Sequence, residues 1–308
     1  MPSQRSKKIN EYCLKLPATS ANLGPAFDAA ALALSLFLKI SATPAAEFSI
    51  RARGCDAEIC REIDNHLILT TYREILLNED KTVIPLSLQI DNEIPIGKGC
   101  GSSAAARLAG IALANHFGRL RWNANRIVGE AARREHHPDN AAACWVGGFA
   151  VARMSDERDA QVARVKPKGN WPLLLAVPPQ SLATEEARRV LPNQYSRADV
   201  VSNIQNSMLL VAAFTHGRHD LLSAALADRV HQPYRSELCP LLPALEPLTG
   251  SRSILGVVLS GAGPSVLLFV DPNTRMTEAK KRVAEHLRSR RLDAELIATA
   301  ISSDGVTR

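Results

Sequence analysis

No stretch of this 308-residue chain runs to eighteen uninterrupted apolar residues, so no helical membrane span is expected. The amino-terminal MPSQRSKKINEY carries basic residues with no apolar run behind them, and no secretory signal is read there. The expected address is the cytoplasm. Six cysteines (Cys13, Cys55, Cys60, Cys100, Cys144 and Cys239) form no CxxC pair, which leaves no zinc motif and no disulfide framework to read. His136, His137, His216 and His219 have no completing cluster in the sequence, so zinc is not expected from them either. Aromatic residues are scarce at 5%, and no basic run is interleaved with them. Nucleic acid would therefore find no stacking platform, and none is expected as a partner. The net charge of +6, from 37 basic and 31 acidic residues, leans mildly toward anionic ligands.

What is present is an apolar fraction of 46%, enough to give two domains of ordinary size their own cores. EYCLKL, AALALSLFLKISA, EFSIRA, VIPLSLQID and GGFAVARM read as strands, and HLILTTYREILL as a helix. Two more helices are predicted from Ser102 to Phe117 and from Asn123 to about Arg134, the second stopped by the proline of HHPDN. The polar stretch SDERDAQVARVKPKGN marks the boundary region, dividing the chain into 1–160 and 161–308. Beyond it come a strand in WPLLLAVP, a short helix in TEEARRVL, and a helix in DVVSNIQNSMLLVAAF with Val201, Ile204, Met208 and Val211 on one face. Two buried strands, or a strand and a short turn, around SGAG, then a helix over 275–290 and a strand in LDAELIATA finish the chain. This order suggests α/β or α+β domains rather than a doubly wound sheet.

IPIGKGCGSSAAARLAG, residues 94–110, places glycines at 97, 99 and 101 directly before a helix. Glycine permits positive φ and close backbone approach, and the helix behind it, with Ser102 or Ser103 suited to the N-cap, offers unpaired amides and a positive dipole end. Together these make an anion cradle, with triphosphate the common occupant and a flexible connection the plain alternative. The Walker pattern is absent, and GxGxxG fails because position 104 is alanine. Two more segments, LPATSANLGPAFDAAALAL and LSGAGPSVLLF, set polar residues at glycine turns between apolar runs, as a closely approached site requires.

These three segments, in this order, resemble the signature motifs of the GHMP family of small-molecule kinases. PATSANLGPAFD, HPDN, TEEAR and DRVHQPYR are similar in particular to the branch that phosphorylates the side-chain hydroxyl of L-homoserine on the way to threonine. The resemblance implies an α+β fold of two GHMP kinase domains, an S5-like amino-terminal domain carrying the ATP loop and a ferredoxin-like carboxy-terminal domain. It implies ATP on Pro95, Gly97, Lys98, Gly99, Cys100, Gly101, Ser102 and Ser103, with Asn65, Leu67 and Ile68 at the adenine. Mg2+ is expected on Glu135 and Ser102, with Glu130 as an alternative. Asn22, Asp28, Asn140, Arg188, Arg235 and Gly261 are expected at the acceptor, with Arg189 the neighbour of Arg188. Asn140 stands where related kinases place a basic aspartate; it can orient a hydroxyl but not deprotonate it, which a loose transition state tolerates. Asn140 and Ser102 are the expected catalytic groups, and a homodimer the expected assembly.

Ala26, Ala31, Cys100 and Ala143 depart from the family's habit, so a kinase for another small hydroxylated amino acid or alcohol stays open. A non-catalytic nucleotide-binding protein is the rival of another class. It predicts loss of the metal and acceptor groups, yet Glu135, Asn140 and both arginines are present.

Overall fold

The computed structural model describes residues 11–307, so the reading of the basic start, 1–10, lies outside the described residues. β1 (Tyr12–Asn22) and β2 (Ala26–Pro44) form a long antiparallel hairpin whose turn passes through Leu23, Gly24 and Pro25. The chain continues through β3 (Ser49–Gly54), α1 (Ala57–Arg61), α2 (Leu67–Asn78), β4 (Leu86–Asn92), α3 (Ser102–Phe117), α4 (Ala124–Glu135), α5 (Asp139–Val146), β5 (Phe149–Met154) and β6 (Ala160–Val165). These strands make one sheet in the order β3-β4-β2-β5-β6, with β1 also paired to β2. Every pair is antiparallel except β3 with β4, which α1 and α2 connect. Leu86, Leu88 and Ile90 point inward from β4 in strict alternation, as a sheet covered on one face demands. α3 packs close to α2 because its small residues allow it: a Cβ at Gly110 would sit 2.6 Å from the Ile68 carbonyl oxygen.

The second half contains β7 (Leu173–Val177), α6 (Thr184–Arg189), α7 (Arg197–His216), α8 (Leu222–Ala225), α9 (Gln232–Arg235), α10 (Leu241–Leu245), β8 (Ile254–Leu259), β9 (Val266–Val270), α11 (Met276–Ser289) and β10 (Glu295–Thr299). Its four strands run β10-β7-β9-β8, all antiparallel, which is the order of a ferredoxin-like β-α-β-β-α-β unit. Alternation splits this sheet between two cores. Leu173, Leu175, Leu267 and Phe269 join the core of the first half, while Leu174, Ala176, Leu268 and Val270 pack with α10 and α11. The α+β class is therefore the one expected.

Two sequence readings need amendment. The stretch 155–170 is not all connection, because β6 lies within it and pairs with β5 along its whole length. Val201, Ile204, Met208 and Val211 do share a face of α7, but the first three are exposed, and Asn203, Leu210, Ala213 and Phe214 turn inward instead. The inner face wins because it has specific partners. Asn203 and Ser207 donate to the Pro25 carbonyl at 2.6 and 2.9 Å, and Phe214 packs among Phe149, Trp171 and Phe269. Among the described residues no helix is long and apolar enough to cross a membrane.

Candidate active site

A cavity of about 550 Å3 lies between the two halves, and the three glycine-punctuated segments all reach it. The loop before α3 forms its floor, with φ of 69°, 76° and 69° at Gly97, Gly99 and Gly101. Gly101 is itself the N-cap of α3, so neither Ser102 nor Ser103 takes that role. The capping expectation fails for a physical reason: a left-handed glycine ends the loop, and the Ser103 hydroxyl donates to Glu135 Oε1 at 2.6 Å. A side chain at Gly101 would collide with Thr19 Oγ1 at 1.9 Å, and one at Gly99 with the Ser260 carbonyl oxygen at 2.3 Å. The loop is pinned from both halves of the molecule.

Gly97, Gly99, Gly101, Ser102 and Ser103 line the cavity, whereas Pro95, Lys98 and Cys100 do not. The Lys98 ammonium is turned to the Pro179 carbonyl. Cys100 is fully buried, its thiol pushed up to about 12 by desolvation, and its carbonyl accepts from the Thr19 N–H at 3.0 Å. These three residues shape the loop from behind.

Glu130 and Glu135 separate cleanly. Glu130 is buried against Arg133 and Arg134, and although burial raises its pKa, those two hydrogen bonds outweigh it and hold the carboxyl below its ordinary value. Glu135 lines the cavity and holds both Ser103 and Arg107 on Oε1. Its Oε2 makes no hydrogen bond among the described residues, so the carboxylate, with the Ser103 hydroxyl on its other oxygen and Ser102 lining the same cavity, suits a hard divalent cation.

At the other end, Asn22 sits at φ 71°, donates to Gly261 O at 2.9 Å and accepts from the Asp28 N–H at 3.0 Å. Asp28 receives Arg188 at 2.7 Å. Arg188 and Arg235 both face the Phe27 ring, at 5.4 and 5.3 Å. Arg189 is exposed and does not line the cavity, whereas Arg188 does. Arg235 is 1% exposed and donates to Ala187 O at 2.9 Å, with His231 Nδ1 3.2 Å away. Desolvation and the nearby Arg188 lower its pKa to about 10.

HPDN closes this end. Asp139 Oδ1 meets His137 Nδ1 at 2.5 Å and accepts the Asn140 N–H at 2.6 Å, while Oδ2 is buried with no partner among the described residues. Burial alone would lower the His137 pKa, but the hydrogen bond and charge of Asp139 more than offset it, and the pKa is raised. Asn140 Oδ1 accepts from Thr19 Oγ1 at 2.6 Å. Asp28, His137 and Asp139 bring ligating atoms within 4.8 Å of one another.

Asn65, at φ 61°, and His66, Leu67 and Ile68 line the opposite, more apolar end. His66 Nδ1 is buried there without a partner among the described residues, and desolvation lowers the ring's pKa. The cavity thus runs from an apolar recess, past the glycine loop and the amino end of α3, to a charged recess.

Family models of the GHMP kinases match at both ends of this arrangement, the N terminal domain over residues 66–148 and the C terminal over 210–289. The chain belongs to the GHMP kinase family. Its relatives include a homoserine kinase of Solibacter usitatus (strain Ellin6076), 43% identical over 84% of this chain and 85% of that protein. A homoserine kinase of Synechocystis sp. is 34% identical over 96% of this chain and 97% of its own. The crystal structure of homoserine kinase from Cytophaga hutchinsonii superposes with a TM-score of 0.81 at 21% identity, covering 100% of this chain and 99% of that one. As in any member of a kinase family, roles still have to be read residue by residue. Thr19, Arg107, His137 and Asp139 enter this site without having been singled out for it in the sequence. HPDN flagged the last two by adjacency; Thr19 and Arg107 carry no local signal, since their partners are 121 and 28 residues away.

Proposed function

We propose that the protein transfers the γ-phosphoryl group of ATP to the side-chain hydroxyl of L-homoserine, giving O-phospho-L-homoserine and ADP in the cytoplasm, a step toward threonine. The observation that carries this reading is one cavity joining the cradle at Gly97–Ser103 to a recess holding Arg188, Arg235 and Asp28. An amino acid matches that recess, its carboxylate toward the guanidinium of Arg235 and its ammonium toward Asp28. The relatives named above support the choice of acceptor.

The adenine takes the apolar recess by Asn65, and the phosphates take the amides of the loop and the first turn of α3. Mg2+, when bound, would be held by Glu135 with a hydroxyl of Ser102 or Ser103 and would supply charge neutralisation at the phosphates. Asn140, braced by Thr19, orients the acceptor hydroxyl toward the γ-phosphorus. The new O–P bond forms as the bond to the β–γ bridging oxygen breaks, that electron pair leaving on ADP. The hydroxyl proton departs late, to a phosphoryl oxygen or water, so no strong base is required.

A second reading is favoured by the bare Asp139 Oδ2, which could accept that proton. Two variants separate them. Positioning by Asn140 predicts that Asn140→Ala keeps ATP affinity and loses about 100-fold in kcat. Proton acceptance by Asp139 predicts the larger kcat loss in Asp139→Asn, with Asn140→Ala mild. The reading as a whole is tested by ADP release with Mg-ATP against L-homoserine, L-serine, L-threonine, mevalonate, galactose and no acceptor. Release with homoserine alone is expected; release with another acceptor moves the activity elsewhere in the family.

A further inference from the structure

Glu135 lines the cavity, but Arg107, its one ion-pair partner among the described residues, does not. The pair is shielded from solvent, with side-chain exposures of 24% for Arg107 and 12% for Glu135. Arg107 stands four residues after Ser103 on α3, so both project from one face of that helix toward the end of α4. There the Ser103 hydroxyl and Arg107 Nε share a single acceptor, Glu135 Oε1. Two donors on one oxygen hold the carboxylate in place and leave Oε2 uncommitted.

The neighbouring cations are engaged elsewhere. Arg133 and Arg134 of α4 pair with Glu130, and Arg134 also with Glu74. Lys98 of the glycine loop is turned to the Pro179 carbonyl. Among the described residues lining the cavity there is no lysine, and both arginines, Arg188 and Arg235, belong to the charged recess. The guanidinium of Arg107 therefore reaches the phosphate end through Glu135.

We propose, on the kinase reading of this site, that Arg107 is a positioning residue that reserves Glu135 for a divalent cation arriving on the nucleotide. Its hydrogen bond fixes the carboxylate, and its charge opposes a second cation on the same group, in a half-buried setting where screening is weak. A free ion has to bear that repulsion alone. A triphosphate brings enough negative charge to outweigh it, so cation and nucleotide favour each other's binding. An arginine that only tied α3 to α4 would make no distinction between a free and a nucleotide-borne ion.

The test reads binding rather than turnover, on the full chain. Mn2+, a divalent ion with the same oxygen ligands, is titrated without nucleotide and followed by electron paramagnetic resonance. Adenosine 5′-(β,γ-imido)triphosphate is titrated by calorimetry with and without Mg2+. Arg107→Met, which keeps the aliphatic stem, should bind free Mn2+ about tenfold more tightly than wild type. Its affinity for the Mg-nucleotide should not rise. Arg107→Lys keeps the charge and should leave free Mn2+ as weak as in wild type, and R107M/E135Q should lose the gain. Three results overturn the proposal: no gain in Arg107→Met, an equal gain in Arg107→Lys, or a gain that survives in R107M/E135Q. Glu135→Gln alone tests the reading beneath. If Mg2+ strengthens nucleotide binding there as much as in wild type, Glu135 does not hold the ion and the proposal falls with that assignment. If that strengthening is lost while Arg107→Met behaves as wild type, only the role of Arg107 is overturned.

Discussion

Arg235 and His231 show how one buried residue fixes the state of another. Arg235 Nη1 donates to His231 Nδ1, which must therefore carry a lone pair, while His231 Nε2–H donates to Gly24 O at 2.8 Å. The imidazole is held neutral in one tautomer, and charging it would set two cations 3.2 Å apart in a dry site. Desolvation pushes its pKa from 6.5 down to about 4, with Asp228 opposing too weakly to reverse it. The unfolded chain therefore takes up this proton first as pH falls. Stability from this group is intact above pH 6.5, shrinks below it, and is gone at about pH 4, a loss of roughly 3 kcal/mol. Urea midpoints across that window should fall in the wild type, and His231→Gln should have a flatter profile over the same range. Equal slopes in the two proteins would mean that the carboxylates carry the whole acid transition.

At the scale of elements, the glycine loop and α3 act as one unit, and the glycines are unequal. A Cβ at Gly99 would press on two backbone carbonyls, Ser260 O at 2.3 Å and Gly263 O at 2.7 Å, which cannot step aside. At Gly97 it would meet only the Ser181 side chain, at 3.3 Å or more. Both positions carry the cost of a left-handed alanine, about 1–2 kcal/mol, but only Gly99→Ala adds a backbone collision. Gly99→Ala should lower the melting temperature and weaken ATP binding at least tenfold, with Gly97→Ala near wild type in calorimetric titration; comparable losses would show that the loop is free to relax. The loop, the long strands and α3 were legible in the sequence because periodicity and glycine punctuation are local. β6 was not, since AQVARV puts few of its side chains in the core and looks like solvated connection. α8, α9 and α10, of four or five residues each, follow tertiary contacts rather than pattern. The outward face of α7 was as apolar as an inward one, so only the partners of Asn203 and Phe214 could decide its rotation. The charged recess was half legible: Asn22, Asp28, Asn140, Arg188 and Arg235 sit in recognisable strings, while the brace from Thr19 to Asn140 spans 121 residues and exists only in the fold.

Over the whole molecule, the chain does not finish where its second sheet does. After β10 it returns to the first half, where the Ser35 N–H donates to Ala300 O, and the Ser302 N–H to Ala33 O. The Gly148 N–H donates to Ser302 O, the Val306 N–H to Trp145 O, and Lys15 and Thr307 exchange a pair of bonds. Gly305 passes so close to α5 that a Cβ there would lie 2.1 Å from the Trp145 carbonyl oxygen. The two halves also share one apolar core, in which Leu175 and Phe269 of the second sheet sit with Leu32 and Phe149 of the first. Neither half is thus closed without the other, and the cavity between them depends on both. A chain cut after Thr299 loses six backbone hydrogen bonds, worth about 1 kcal/mol each, and leaves the edge they covered to water. Scanning calorimetry should give one transition for the full chain, with van't Hoff and calorimetric enthalpies agreeing, and a melting temperature many degrees lower for the cut chain. Two resolved transitions, or a cut chain that melts with the wild type, would show that the halves fold independently and that the returning tail is ornamental.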